Sequence, residues 1–308
     1  MNNFARILRL VAMLFALRPA EAQVFEGTTL DQQIPPGRNF DKANFRLWIP
    51  KDAAPLQAVV VLMPGSNGDA RAQVDDPVWR DFATRHKLAL VGGQITDKPH
   101  EQNFLEQYCN VSQGSGQALL DAITMFATNS HHSELATAPL LLWGMSAGGQ
   151  FNYEFVAWKP ERVAAFVVNK GGIYYTALTS EAARNVPGIL FIAGKDLESR
   201  ISTITGLFAL NRRAGALWAL AEEPGVAHVV GRSRDVALVF FEDALKTRLG
   251  EGSLAPISEN SGYIGDIKAK TFYAAAGQPA PTGTTAWLLT ERVARAWKAM
   301  VTEKPFDP

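Results

Sequence analysis

The residues with the most to say about chemistry are Gly144-Met145-Ser146-Ala147-Gly148, a G-x-S-x-G set between the apolar run LLLWG and an aromatic-rich stretch with helical spacing. A serine hydroxyl is a weak nucleophile alone and becomes useful when a base and an orienting acid converge on it. At a strand–turn–helix corner, glycines two residues either side relieve the crowding of a tight turn. The serine is then left projecting above the carboxyl end of the strand. The following helix aims its amino end, and hence partial positive charge, at the same spot.

On such a scaffold the partners follow in a fixed chain order, acid and then histidine. Asp196 stands just past the apolar run GILFIA, within Gly194-Lys195-Asp196, and His228 stands just past LWALA, at the end of EEPGVAH. Each leaves a predicted strand by its carboxyl end, so both can reach the serine from one edge of a sheet. His228 is expected to take the Ser146 proton and return it to the leaving group. Asp196 is expected to fix the imidazole tautomer and steady the imidazolium. Glu198, Glu222 and Glu223 are the competing carboxylates for the acid role.

The charge that develops on an attacked carbonyl oxygen needs two preorganised N–H donors. Ala147, directly after the nucleophile, supplies one. The other is assigned to Ser66, in the small-residue turn Pro64-Gly65-Ser66-Asn67-Gly68 that follows VVVLM. Tyr174 and Tyr175, reached from a strand through Lys170-Gly171-Gly172, are candidates to line the cleft and bind substrate. His131 and His132 read as solvated loop residues, and His86 as a cation suited to a helix C-terminus. Gly114-Ser115-Gly116 lacks the glycine spacing and the Lys-Ser/Thr pair of a phosphate loop.

Several elements must position these groups. Near-continuous apolar runs at 56–63, 88–91, 140–145, 163–169, 188–193 and 217–221, with a strand at 45–49 before them, read as strands mostly buried on both faces. Helices are predicted from Pro77, capped by Asp76, to about Lys87, over 116–127 capped by Ser115, and over 147–158, 199–214 and 234–249. Strand–helix alternation of this length predicts an α/β fold, a mostly parallel central sheet covered by helices on both faces. Beyond Gly250 the composition turns to Gly, Ser, Pro and Thr, with a strand expected over 267–273. A last helix follows, capped by Thr290, with Val293, Trp297 and Met300 on one face. Residues 251–308 are thus read as a C-terminal extension packed on the 23–250 catalytic domain.

Composition excludes several classes. The 308 residues are 47% hydrophobic and 19% charged, which suits a globular chain. Thirty basic and thirty acidic side chains cancel, so bulk charge points to no nucleic-acid partner. A single cysteine, Cys109, excludes an internal disulfide framework, and with five histidines leaves little from which to build a metal site. No metal or other cofactor is expected. The first 22 residues carry Arg6 and Arg9, a short apolar core (LVAMLFAL) and Ala20-Glu21-Ala22, the pattern of a cleaved export signal. That core is too short to span a bilayer. The expectation is a protein cut after Ala22 and released to the periplasm or medium, without a membrane anchor.

Over roughly 45–249 the chain resembles the α/β-hydrolase superfamily. The stretches VVVLMPGS, DPVWRDFATRHKLALVG and LLLWGMSAGGQ resemble secreted esterases of the polyhydroxybutyrate-depolymerase and feruloyl-esterase-like group. The Pro64-Gly65 loop, the G-K-D segment and the histidine loop also resemble cutinase-like polyester hydrolases. Two features depart from these patterns. Pro64-Gly65-Ser66 stands where depolymerase-like enzymes often have His-Gly-Cys, and one cysteine forbids the disulfides usual in cutinases. The resemblance implies a secreted serine esterase with Ser146, Asp196 and His228 as nucleophile, acid and base, acting on a small-molecule or polymeric ester. A serine exopeptidase or acyltransferase on the same fold, and a binding module that has lost catalysis, are the competing functions.

Overall fold

The computed structural model describes residues 25–101, 105–250 and 254–306, so the export-signal reading of residues 1–22 lies outside the described residues. An eight-stranded sheet runs in the order β1-β2-β4-β3-β5-β6-β7-β8. Its strands are β1 (Gly27–Ile34), β2 (Lys42–Pro50), β3 (Ala58–Met63), β4 (Leu88–Thr96), β5 (Leu140–Gly144), β6 (Val163–Asn169), β7 (Gly188–Ala193) and β8 (Trp218–Glu223). The β1/β2 and β2/β4 pairs are antiparallel, and every pair from β4 through β3 to β8 is parallel. The chain has the mostly parallel α/β sheet that its alternation predicts.

The apolar runs form strands because both faces of the sheet are covered. Along β3, Val59, Val61 and Met63 enter one core while Ala58, Val60 and Leu62 enter the other. Helices α2 (Ser115–Asn129), α3 (Ala147–Trp158), α4 (Glu181–Arg184) and α5 (Glu198–Arg213) cover the first face; α1 (Pro77–His86), α6 (Ser233–Arg248) and α7 (Glu291–Val301) cover the second. Helix α1 starts where the sequence says it should, with the Asp76 carboxylate accepting from the Val78 and Trp79 N–H groups ahead of an N1 proline. Among the described residues, no helix is long and apolar enough to cross a membrane.

Three expectations are corrected. Ser115 does not cap α2; Gly114 does, at φ 136°, and Ser115 is the first helical residue. Its hydroxyl is buried against Asn39, whose Oδ1 accepts the Ser115 N–H at 3.1 Å, so that side chain serves a long-range contact. The strand expected over 267–273 is instead a hairpin, β9 (Tyr263–Asp266) and β10 (Thr271–Ala274), which joins β11 (Thr285–Leu288) in a small second sheet. Asp266 Oδ1 accepts the Ala269 N–H at 2.7 Å and Lys270 takes φ 56°, which turns the chain where apolar content suggested continuity. Helix α6 ends at Arg248, with Leu249 extended, rather than at residue 249 as expected.

Residues 254–306 pack on the outer face of β8 and α6. The Trp297 indole donates to Leu220 O at 2.8 Å, and Arg212 donates to Thr285 O at 3.0 Å while pairing with Glu259 at 2.7 Å. Val293, Trp297 and Met300 are buried together, as their spacing predicts.

Candidate active site

Ser146 sits between β5 and α3 at φ 55° and ψ −123°, a conformation costly for any residue with a side chain, on the order of 1–3 kcal/mol. The surroundings enforce it. The Ser146 N–H donates to Asn169 O at 2.9 Å, and Met145 bridges Asn169 in parallel register. A Cβ on Gly144 would lie 2.3 Å from Gly148 O, and one on Gly148 would lie 2.3 Å from Met63 O. Glycine is therefore required at both ends of the turn by backbone atoms that cannot move aside.

The turn after β3 lies over the serine, since a Cβ on Gly65 would come within 3.7 Å of Ser146 Cβ. Gly68 N–H closes this turn on Gly65 O at 2.9 Å, and Asn67 Oδ1 accepts the Asp97 N–H at 2.7 Å. Tyr108 supports it from below, its hydroxyl accepting the Asn67 N–H at 3.3 Å. Among the described residues, the N–H groups of Gly65, Ser66 and Ala147 have no partner within the chain. This donor strip belongs to the turn over Ser146 and to the residue that follows it.

Asp196 follows β7 in a turn closed by its own N–H on Ala193 O at 3.1 Å. Its side chain is only 3% exposed, and Oδ2 accepts from His228 Nδ1 at 2.7 Å. Oδ1 accepts from the Leu197 N–H at 2.8 Å and from Arg200 at 3.0 Å. Burial pushes the carboxyl up, but the hydrogen bonds from His228, Leu197 and Arg200 together hold it below its ordinary value. The competing carboxylates are elsewhere. Glu198 accepts from Ser202 on the exposed face of α5, Glu222 is exposed, and Glu223 is buried against Lys170.

His228 lies in the loop after β8. That loop is zipped to the Asp196 turn by Gly194 N–H on Glu223 O (3.0 Å) and Lys195 N–H on Val226 O (2.9 Å). At its outer side, Arg232 donates to Lys304 O at 3.0 Å, so the chain beyond α7 touches the same loop. Ser146 and His228 have no direct hydrogen bond; Ser146 Oγ and His228 Nε2 are each without a partner among the described residues.

A cavity of about 260 Å³ opens beside the serine, with Glu106, Ser146, Gln150, Ile173, Leu197 and Arg200 in its wall. A second, of about 280 Å³, lies on the other side of Glu106 among Ser66, Asn67, Asp97 and His100. A larger cavity, about 710 Å³, is at the opposite end of the sheet near Leu56, Pro139 and Leu249, remote from these groups. Neither tyrosine assigned to substrate binding lines the first cavity. Tyr174 turns inward, its ring edge-on to Tyr153 at 5.0 Å, with a buried hydroxyl that has no partner among the described residues. Tyr175 is 39% exposed and borders the cavity indirectly, donating to Glu106 O at 3.1 Å. The side chain this segment contributes is Ile173.

Sequence reasoning missed three contributors. Cys109, noted only as a lone cysteine, is buried beneath the elbow with its Sγ donating to Ala147 O at 3.3 Å. Burial pushes that thiol well up, so it remains a donor. Glu154 on α3 accepts from the Tyr175 and Thr176 N–H groups (2.7 and 2.9 Å), fixing the loop that carries Ile173. Glu106 lines both cavities. No local pattern marks any of them, because each acts across a long sequence separation.

No protein-family model matches the chain, and no curated protein matches it in sequence. Solved structures do resemble it in fold. A bacterial heroin esterase is 14% identical with a TM-score of 0.52, covering 73% of this chain and 87% of its own. A ferulic acid esterase is 9% identical with a TM-score of 0.52, covering 72% of this chain and 98% of its own. An arylesterase is 13% identical with a TM-score of 0.50, covering 71% and 84% respectively. At these identities the likeness is one of fold, the α/β-hydrolase fold.

Proposed function

We propose that the protein is a secreted serine hydrolase that cleaves carboxylic esters through an acyl-enzyme. The observation that carries this reading is the Asp196–His228 hydrogen bond of 2.7 Å, held at the sheet edge where Ser146 projects from its strained turn. The esterases that share the fold favour an ester over an amide.

In this mechanism an ester enters the cavity beside Ile173 and Leu197 with its carbonyl oxygen against the N–H groups of Ala147 and Ser66. Ser146 Oγ attacks the carbonyl carbon as its proton passes to His228 Nε2. That nitrogen is free to accept because Asp196 holds the proton on Nδ1. The tetrahedral oxyanion draws on the donor strip, each donor contributing about 3–4 kcal/mol to the transition state. His228 then protonates the departing alcohol. Water, deprotonated by the same imidazole, hydrolyses the acyl-enzyme and restores Ser146. No metal or cofactor takes part in these steps.

Hydrolysis of p-nitrophenyl esters of increasing acyl length, by protein beginning at Gln23 with Ser146→Ala as the blank, tests the reading. Turnover abolished by the substitution supports it, and the preferred acyl length reports the cavity. Folded protein that does not turn over esters, yet reacts at Ser146 with a fluorophosphonate, transfers the assignment to an amide hydrolase or acyltransferase. No reaction at all indicates a binding role. Export is tested separately: the protein recovered outside the cytoplasm should begin at Gln23, and recovery only inside cells with residue 1 intact would refute it.

A further inference from the structure

Behind the histidine loop lies an ion pair that the catalytic steps do not use. Lys170, just past β6 at φ 55°, is completely buried, and its Nζ is 3.0 Å from Glu223 Oε2 at the end of β8. The pair does not stand alone. Lys170 Nζ also donates to Asn169 Oδ1 at 3.0 Å and to Val230 O at 3.3 Å. Glu223 Oε1 accepts the Arg232 N–H at 2.6 Å. Gly231 lies between, at φ 58°, where a Cβ would meet the Glu223 carboxylate at 2.3 Å.

The two charges thus grip the outer limb of the loop at residues 230 and 232, on the far side of His228 from Val226, where the Asp196 turn holds the inner limb. His228 is suspended between the two fixed points. The same assembly reaches the nucleophile, because Asn169 accepts the Ser146 N–H with its carbonyl and the Lys170 ammonium with its side chain. Stability is a poor reason for such a pair, since removing two charges from water is costly and apolar replacements are often no less stable. Position is the better reason. A misplacement of about 1 Å can cost on the order of 10²-fold in rate.

We propose that Lys170 and Glu223 are positioning residues that lock the His228 loop against the Ser146 turn and thereby set the distance across which the serine proton moves. The inference rests on the ester-hydrolase reading and can fail independently of it. Lys170→Met and Glu223→Gln, singly and together, are compared with the parent in ester turnover, in melting temperature and in amide hydrogen exchange of residues 224–232. Each single change is expected to lower kcat by about 10–100-fold with KM within about twofold, and to lower the melting temperature, because it strands one buried charge. The double variant strands none. It should recover the melting temperature while kcat stays low and the loop amides exchange faster than in the parent. Recovery of kcat along with the melting temperature, or unchanged loop exchange, would overturn the proposal and leave the pair a stabilising contact only. Should the single variants not fold, the double alone carries both measurements. If the parent turns over no ester, the ester-hydrolase reading is what has failed, and the exchange rates still decide whether the pair holds the loop.

Discussion

The turn that carries Ser146 and the loop that carries His228 solve one problem by opposite means. The turn is fixed by what is absent: side chains at Gly144 and Gly148 would strike backbone oxygens at 2.3 Å, so a short segment next to a strand can take only one path. The loop is fixed by what is present, a carboxylate on either side and a buried lysine, drawn from β6, β7 and β8. Backbone exclusion is local and leaves its mark in a five-residue pattern. Charge pairing is distant and leaves almost none.

The comparison is open to direct attack, beginning where the effect is largest. Ser146→Ala should lower kcat about 10⁶-fold, the scale on which a serine nucleophile is lost, with the melting temperature nearly unchanged. Asp196→Asn should cost on the order of 10⁴ in kcat by leaving the imidazole in the wrong tautomer, while Glu198→Gln stays near the parent. The reverse ranking would reassign the acid. Asp196 also predicts a pH dependence. Its folded pKa lies below the unfolded value of about 3.9, so its contribution to stability is complete above that value and lost as pH falls through the folded one. Melting curves of Asp196→Asn across acid pH should lack this component.

Gly148→Ala and Gly231→Ala set the two devices side by side. The first meets immovable backbone and should cost about 3 kcal/mol in chemical denaturation. The second adds a left-handed penalty of about 1–2 kcal/mol and presses on Glu223, so its larger effect should be on kcat. Equal losses of stability and rate in both would mean that turn and loop are not held differently. Glu154→Gln should have the smallest effect, within about 1 kcal/mol at neutral pH, since an amide oxygen can still accept from Tyr175 and Thr176. Burial raises the Glu154 pKa against those hydrogen bonds, so the parent loses stability as pH rises from about 4.3 toward the folded value. The glutamine variant should not show that loss.

What was legible in the sequence follows the same division. The runs that became β3 to β8 announced themselves because burial on both faces leaves no alternation to misread. β1 did not: its GTTLDQQI is a polar edge strand, buried only at Ile34. The Asp266 turn was lost within an apolar stretch because one side-chain hydrogen bond, not composition, made it. In the site, the positions of Ser146, Asp196 and His228 beyond their strands are readable because each follows an apolar run. The wall of the cavity is not, because nothing in the sequence separates Tyr174 and Tyr175 from Ile173, whose side chain lines it. Gly171 and Gly172 carried no local clue to the direction in which the next side chains would turn.

The two ends of the described chain meet the sheet on opposite margins. β1 lies at the margin farthest from β8, whereas Lys304 accepts a hydrogen bond from Arg232 in the loop that carries His228. Cutting or extending the polypeptide ahead of β1 should pass unnoticed at the serine. A purification tag or a trimming protease acting just beyond Lys304 would bear on the loop that holds His228, so changes at one end of the described chain are insulated from the site and changes at the other are not.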